Sequence, residues 1–315
     1  MLRIYKVGGH MFRVSMSDDS ALWKGMDNYN PFLVDSNAGL CNAETPDLLF
    51  CLDIDFSSNG ADIVRDSKHL AEFDDDTAYI SLMSGPDNQR VFLISLNSVM
   101  KEQGGILAVE CNNQECKLYL GACNDYRHGL FIVNNALMLL YALMSSVKDT
   151  ILIHASVVMA DGYGFAFLGK SGTGKSTHTR LWLQNIPGTS LLNDDNPVVR
   201  IDSSGNPVIY GSPWSGKTPC YRNEEVPLRA VVRLSQAPRN LIRKLSGISA
   251  YAALAPSASS MKWEKNMADG LHETLSKLVS TVGIYHLECL PDAEASLLCH
   301  ETVKKGLILE HINYN

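Results

Sequence analysis

The stretch Tyr163-Gly164-Phe165-Ala166-Phe167-Leu168, continuing as Gly169-Lys170-Ser171-Gly172-Thr173-Gly174-Lys175-Ser176-Thr177, decides how this chain is read. Its first six residues are apolar or aromatic and predict a strand. The next eight satisfy G-x-x-x-x-G-K-[ST] at every fixed position. A helix is expected from Lys175 to about Ile186, stopped by Pro187-Gly188. Strand, loop and helix in that order make a phosphate cradle. Gly169, Gly172 and Gly174 let backbone N–H groups converge on anionic oxygens that Cβ atoms would crowd, and Lys170, Ser171, Thr173 and Thr177 complete the contact set. Lys175 supplies a point charge for β- and γ-phosphates, Ser176 a hydroxyl for Mg²⁺, and the helix aims its positive end at the same anion.

Downstream of that helix, a short apolar strand ends in Leu191-Leu192-Asn193-Asp194-Asp195. Two adjacent carboxylates at a strand end beside a phosphate loop suit magnesium binding and acceptance of a proton from an attacking hydroxyl. The competing reading is an Asx-type turn into Asn196-Pro197. Further on, Tyr210-Gly211-Ser212-Pro213-Trp214-Ser215-Gly216-Lys217-Thr218 and Tyr221-Arg222-Asn223 form a turn-rich segment. Lys217 and Arg222 on such a loop are candidates to meet nucleotide phosphate and offset transition-state charge, or else are solvated heads on a connector. His178 is expected to cover the helix rather than reach a substrate. Arg229 and Arg233 alternate with apolar residues in a strand and read as an exposed face.

The segment 154–168, read as an antiparallel hairpin, the GKSGTGKST loop and the LLNDD pair together resemble the C-terminal domain of HPr kinase/phosphorylase. They are also similar to the nucleotide site of ATP-dependent phosphoenolpyruvate carboxykinase, which shares that P-loop fold. The resemblance covers roughly residues 150–235. It implies an α/β fold, α+β overall, with an HPr kinase-like P-loop domain preceded by a small β-rich domain, and ATP and Mg²⁺ as cofactors. It further implies that His154, expected in the first hairpin strand, stands near the transferred phosphate with Asp194, Asp195 and Lys175. One aspartate would be the base and the other a metal partner; Ser176 and Asp195 are the expected metal pair. Thr177 and His178 follow Ser176 where HPr kinase/phosphorylase carries Glu, and the much longer carboxykinases need ligands with no match here, so decarboxylation is not expected. The activity implied is phosphotransfer from ATP to a hydroxyl of a protein or small molecule, as in a kinase; the alternative is a nucleotide-binding regulatory module without turnover. Self-association is implied as well.

The remaining sequence bounds this reading. The chain has 315 residues, 45% hydrophobic and 19% charged, with net charge −7, which is globular composition and argues against nucleic acid or an anionic membrane surface as partner. A domain of residues 1–125 is expected to be antiparallel sheet, from short alternating runs such as Phe50, Leu52, Ile54 and Phe56 separated by turn residues. A second domain is expected over 126–315. The apolar run 130–147 carries Asn134 and Asn135 and reads as a buried helix rather than a membrane span. Eight cysteines lack C-x-x-C spacing, and the N-terminus lacks the apolar block of a leader, so reduced thiols in a cytoplasm are expected. Cys111, Cys116 and Cys123 do not fit a zinc pattern.

Overall fold

The computed structural model describes residues 1–34, 47–74, 78–86, 89–110, 114–216, 218–259 and 265–312. It is a mixed α/β structure with two large sheets, and its contacts divide it into two compact units, 1–144 and 145–315.

The first unit is built on eight strands: β1 (Leu2–Val7), β2 (His10–Ser15), β3 (Leu48–Asp55), β4 (Lys68–Asp74), β5 (Tyr79–Ser84), β6 (Arg90–Ser95), β7 (Gly105–Val109) and β8 (Glu115–Tyr119). Their order is β1-β2-β3-β8-β7-β6-β5-β4. Gly8 and Gly9, both at positive φ, close the β1–β2 hairpin, a turn that L side chains disfavour. The sheet is not wholly antiparallel as the sequence suggested: β3 runs parallel to both β2 and β8. The reason is connection length. The 32 residues between β2 and β3, which include α1 (Leu22–Gly25), are long enough for a crossover, and the β4–β7 meander returns the chain to the other side of β3. The short helix α2 (Gly60–Arg65) leads into that meander.

The helix α3 (Tyr126–Ser145), expected to open the second domain, packs into the first unit instead. Tyr141 Oη donates to Val7 O at 2.9 Å, and a Cβ on Gly105 would collide with Ile132. The two amides that interrupt its apolar run are both used: Asn134 Oδ1 accepts from Tyr29 Oη, and Asn135 Nδ2 donates to Phe131 O. By length and composition α3 could cross a membrane, yet more than half of its apolar window is buried in this unit. Of the cysteines read against zinc, Cys111 lies outside the described residues.

The second unit carries nine strands: β9 (Thr150–Leu152), β10 (Ala155–Ala160), β11 (Tyr163–Leu168), β12 (Ser190–Asp195), β13 (Val198–Ile201), β14 (Pro207–Tyr210), β15 (Glu225–Gln236), β16 (Leu241–Leu245) and β17 (Gly283–Cys289). β15 belongs to two layers. Its first residues pair with β14, and from Leu228 onward it lies parallel to β11 and, from Ala230, to β17. β12, β10, β11, β15, β17 and β16 thus form the main layer, with β9, β13 and β14 continuing from the start of β15. Period-2 alternation supplies both faces of that layer. Phe165 and Phe167 of β11 face α4 (Lys175–Asn185) and α7 (Ala293–Ile312), meeting Trp182 and Cys299, whereas Ala166 and Leu168 face α5 (Gly247–Leu254) and α6 (Lys265–Thr281), meeting Ala250 and Leu278. Asp292 Oδ1 accepts from Ala295 N and caps α7 as its sequence position predicts.

Trp182 is fully buried, with ring centroids 5.0 and 5.3 Å from Phe165 and Phe167. It donates through Nε1 to His178 Nε2 at 3.1 Å, so the imidazole proton is on Nδ1, which has no partner among the described residues. Burial drives the His178 pKa down to about 4 from its ordinary 6.5. Across that interval the unfolded chain holds the proton and the folded chain does not. Stability is therefore untouched above about 6.5, declines as pH falls toward about 4 and levels off below. His178→Gln, whose amide oxygen can still accept from Trp182, is expected to lose that slope. Urea unfolding at about pH 7 and about pH 5 should show the unsubstituted protein losing about 2 kcal/mol more than the variant.

Candidate functional site

β11 ends at Leu168 and the loop 169–174 carries the chain into α4. Gly174 takes φ +103 at the helix start, with open space where a Cβ would point. The loop's carbonyls are tied down by its surroundings: Lys175 Nζ donates to Gly169 O at 2.8 Å, Thr173 Oγ1 to Lys170 O at 2.6 Å, and Gln236 Nε2 to Gly172 O at 3.1 Å. With carbonyls engaged on the outside, the N–H groups at the start of α4, which no helical carbonyl can satisfy, are left for an anion. Lys170, Ser171 and Ser176 are exposed, and Thr177 is partly so.

His154 is not within a hairpin strand. The chain leaves β9, which pairs with β13, and enters β10, which pairs with β11 and β12, so Ile153 and His154 between them belong to neither ladder. His154 N donates to Ser257 O at 2.6 Å, which fixes that break. The ring is thereby free to bridge two charged groups. Lys175 Nζ stands 2.9 Å from Nε2, and Asp195 Oδ1 stands 2.9 Å from Nδ1. An ammonium only donates, so Nε2 accepts and Nδ1–H donates to Asp195. Partial burial lowers the Lys175 pKa, opposed by the charges of Asp195 and Asp194.

Asp194 and Asp195 close β12 as the sequence predicts, and consecutive strand residues point to opposite faces. Asp195 takes His154. Asp194, only 7% exposed, faces Ser176, whose Oγ donates to Oδ1 at 3.3 Å. The hydroxyl expected beside Asp195 is thus beside Asp194. Those two hard oxygen donors suit Mg²⁺, which takes one or two protein carboxylates and completes its shell with phosphate and water. No group of three or more His, Cys, Asp and Glu is arranged to hold a metal among the described residues.

Asn193, fully buried, is a residue that sequence reading passed over. Its Oδ1 accepts from Asp195 N at 3.1 Å, while Nδ2 donates to Ser212 O and Oγ at 3.3 and 3.1 Å. This ties the segment Gly211–Trp214 against β12; Gly216 N adds a bond to Asp194 O at 2.7 Å. The first half of the turn-rich segment is therefore a buried buttress for the aspartates. Its later half is more exposed. Arg222 lies near Glu224, 3.7 Å away, and beside the Cys220 thiol, whose Sγ reaches Leu191 O and Leu192 O. Lys217 lies outside the described residues.

A hollow of about 590 Å³ opens on the α4 side of the loop, lined by Gly174, Thr177, His178 and Leu181 and by Leu234 and Leu290 from the ends of β15 and β17. Its apolar walls touch the cradle directly. The only sequence trace of it was the pair Thr177-His178 after the loop; its far wall comes from residues more than fifty positions away.

Replacing Asn193 by Leu removes its three hydrogen bonds, to Asp195 N and to Ser212 O and Oγ, and puts an apolar side chain at a fully buried amide position. The expected cost is about 2–3 kcal/mol in chemical denaturation, with a further loss of polyphosphate affinity by calorimetry because Asp194 and Asp195 lose their buttress.

No family model matches this chain, and no curated protein does. Among solved structures it is similar to the HPr(Ser) kinase/phosphatase from Coxiella burnetii, with 13% sequence identity and a TM-score of 0.32 over 52% of this chain and 93% of that one. This is a distant structural likeness.

Proposed function

We propose that the second unit is a kinase that binds ATP with Mg²⁺ and transfers the γ-phosphoryl group to a hydroxyl. The observation that carries this reading is the bridge Lys175–His154–Asp195 set beside the pair Ser176–Asp194. The loop amides and the start of α4 take the polyphosphate, and Lys175 meets its β- and γ-oxygens. Ser176 and Asp194 would hold Mg²⁺, which would supply charge neutralisation on the phosphates. The apolar hollow beside Thr177 and Leu181 takes the purine.

Asp195 is the base. His154 donates through Nδ1 to one of its carboxylate oxygens and leaves the other for an incoming hydroxyl. The acceptor oxygen bonds to the γ-phosphorus, the bond from that phosphorus to the bridging oxygen breaks, ADP leaves, and the hydroxyl proton passes to Asp195. Asp194 already faces Ser176, so the two carboxylates divide the work of metal and proton. Such a protein acts where ATP is abundant, in a cytoplasm.

Calorimetry and a γ-phosphate transfer assay test the assignment together. Lys175→Ala is expected to weaken Mg²⁺-ATP binding at least about tenfold. Asp195→Asn is expected to keep nucleotide affinity within about threefold and to lower transfer by about 10²–10⁴, the usual worth of a positioned base. Unchanged transfer in Asp195→Asn would remove the base assignment, and unchanged affinity in Lys175→Ala would remove the nucleotide site.

A further inference from the structure

The first unit contains a hollow of about 510 Å³ that the proposed reaction does not use. Leu93, Ile106 and Tyr119 stand opposite one another on β6, β7 and β8, so they project together from one face of the sheet. The other face carries α3, where a Cβ on Gly105 would meet Ile132. Cover on the first face is short. α2 has six residues, about 9 Å of helix, against roughly 14 Å across the four strands β5 to β8. The rest of the cover is the 3-10 helix Ser98–Gln103, capped by Asn97 Oδ1, which accepts from Met100 N. The hollow takes Ala61 and Val64 from α2 and Lys101 and Glu102 from the 3-10 helix, over an apolar floor that includes Tyr79 and Tyr119.

Two close backbone contacts hold the cover in place. A Cβ on Gly60 would come within 2.8 Å of Tyr119 Cβ and 3.1 Å of Ile106 Cβ, so α2 rests its first residue directly on β7 and β8. A Cβ on Gly104, just after the 3-10 helix, would stand 2.8 Å from Ile94 O, and Gly104 N donates to Lys101 O at 3.0 Å. Each piece of cover is thus pinned at one end, and the space between them is preformed. Its volume falls in the range of about 300–1,000 Å³ usual for small-molecule sites. The polar groups around it are sorted. Arg65, which also lines it, pairs with Asp62 at 3.0 Å, and Tyr79 Oη donates to Glu72 Oε1 at 2.8 Å. Lys101 and Glu102 are exposed and have no ion-pair partner among the described residues. One ammonium and one carboxylate, from adjacent residues, are left at an apolar cavity.

We propose that this hollow binds a free aromatic α-amino acid, its ring on the apolar floor, its carboxylate on Lys101 and its ammonium on Glu102. Charge selects the zwitterion. A ligand with only a carboxylate is drawn to Lys101 and repelled by Glu102 beside it, and a ligand with only an amine meets the reverse. An α-amino acid carries both charges on one carbon, within about 4 Å, and the Cα atoms of adjacent residues are about 3.8 Å apart. Both pairs form together. Size and surface select the side chain, because Tyr79 and Tyr119 favour offset or edge contacts with another ring, and a small aliphatic group would leave most of the space without contacts. Exposed ion pairs add little by themselves, so the apolar contact supplies affinity and the two charges supply choice. The proposal stands apart from the kinase reading, since every residue in it belongs to the first unit.

Calorimetry on the full chain without nucleotide tests this with L-tryptophan and four comparators: tryptamine, which lacks the carboxylate, indole-3-propionate, which lacks the ammonium, L-leucine and L-alanine. Tryptophan should bind at least about tenfold more tightly than each of them. Lys101→Glu makes the mouth doubly acidic and should turn the preference to tryptamine; Glu102→Lys makes it doubly basic and should turn the preference to indole-3-propionate. Both positions are exposed, so the fold tolerates the reversals. Ala61→Trp, at an exposed position on the wall, should fill the hollow and abolish binding, with thermal unfolding as the check that the chain stays folded. Absence of tryptophan binding at about millimolar concentration, a comparator that binds as tightly, or preferences unmoved by the charge reversals overturns the assignment. Tryptophan affinity that survives in Ala61→Trp, or disappears in Lys175→Ala, puts the ligand elsewhere and overturns it as well. Because the readout needs neither ATP nor turnover, failure of this proposal and failure of the kinase reading are seen separately.

Discussion

A half-buried ammonium with too little water around it governs the architecture of the second unit. Lys175 loses hydration on folding, which its lowered pKa records, and the loss is offset by the Gly169 carbonyl, the His154 ring and the nearby aspartates. Each partner arrives on a different element: Gly169 at the end of β11, His154 before β10, Asp194 and Asp195 at the end of β12. To surround one ammonium, those three strand ends must finish at the same edge of the sheet. The order β12-β10-β11 does that, and the chain passes from the β9–β13 ladder to the β10 ladder through Ile153 and His154. The break that removes His154 from a ladder is therefore a condition of the site. A histidine inside a strand would project from one face with its backbone committed to the sheet, and its ring would not lie between a loop lysine and a strand-end carboxylate.

The same sheet keeps two chemistries apart. Alternation sends Phe165, Phe167, Leu234 and the apolar hollow to the α4 face, and Leu168, Arg233 and His286 to the other. Apolar walls and charged side chains have opposite solvation needs, and a single surface carrying both would leave arginines desolvated or apolar walls in water. Period-2 geometry separates them without any added domain. The phosphate loop, at the end of β11, is where the two faces meet.

What the sequence disclosed was what local chemistry decides. A strand, a glycine loop and a helix start are written in adjacent residues, and so are the Pro187-Gly188 stop, the terminal carboxylates of β12 and the cap at Asp292. Long-range pairing decides the rest. Nothing local to Phe50 or Leu52 says that β3 will lie parallel to two neighbours rather than antiparallel, because alternation is the same either way. The helix α3 has an apolar stripe that would serve either unit, and long-range contacts such as Tyr141 with Val7 O and Asn134 with Tyr29 settle which. Asn193 carried no signal of its own within the strand end 191–195; its role as a buried clamp depends on Ser212, nineteen residues later, folding back against β12. Arg233 read as solvent-exposed, and it is, but its alignment with His286 and Arg243 depends on two strand pairings that no window of sequence contains.

Rigidity follows from how the loop is anchored. α4 is fixed to β10 by Ser156 and Thr179, whose buried hydroxyls are 2.7 Å apart, and to the core by Trp182, so its first turn has little freedom relative to the strand ends. The carbonyls of Gly169, Lys170 and Gly172 are each held in place. Gly211–Trp214 is buried against β12. A cradle whose donors are already oriented spends little reorganisation on the arrival of charge, which is how fixed dipoles stabilise a transition state better than water does. Lys175 is the exception. Its bonds to Gly169 O and to the His154 ring are the partners that, in the proposed reading, a polyphosphate would replace, while His154 keeps its bond to Asp195.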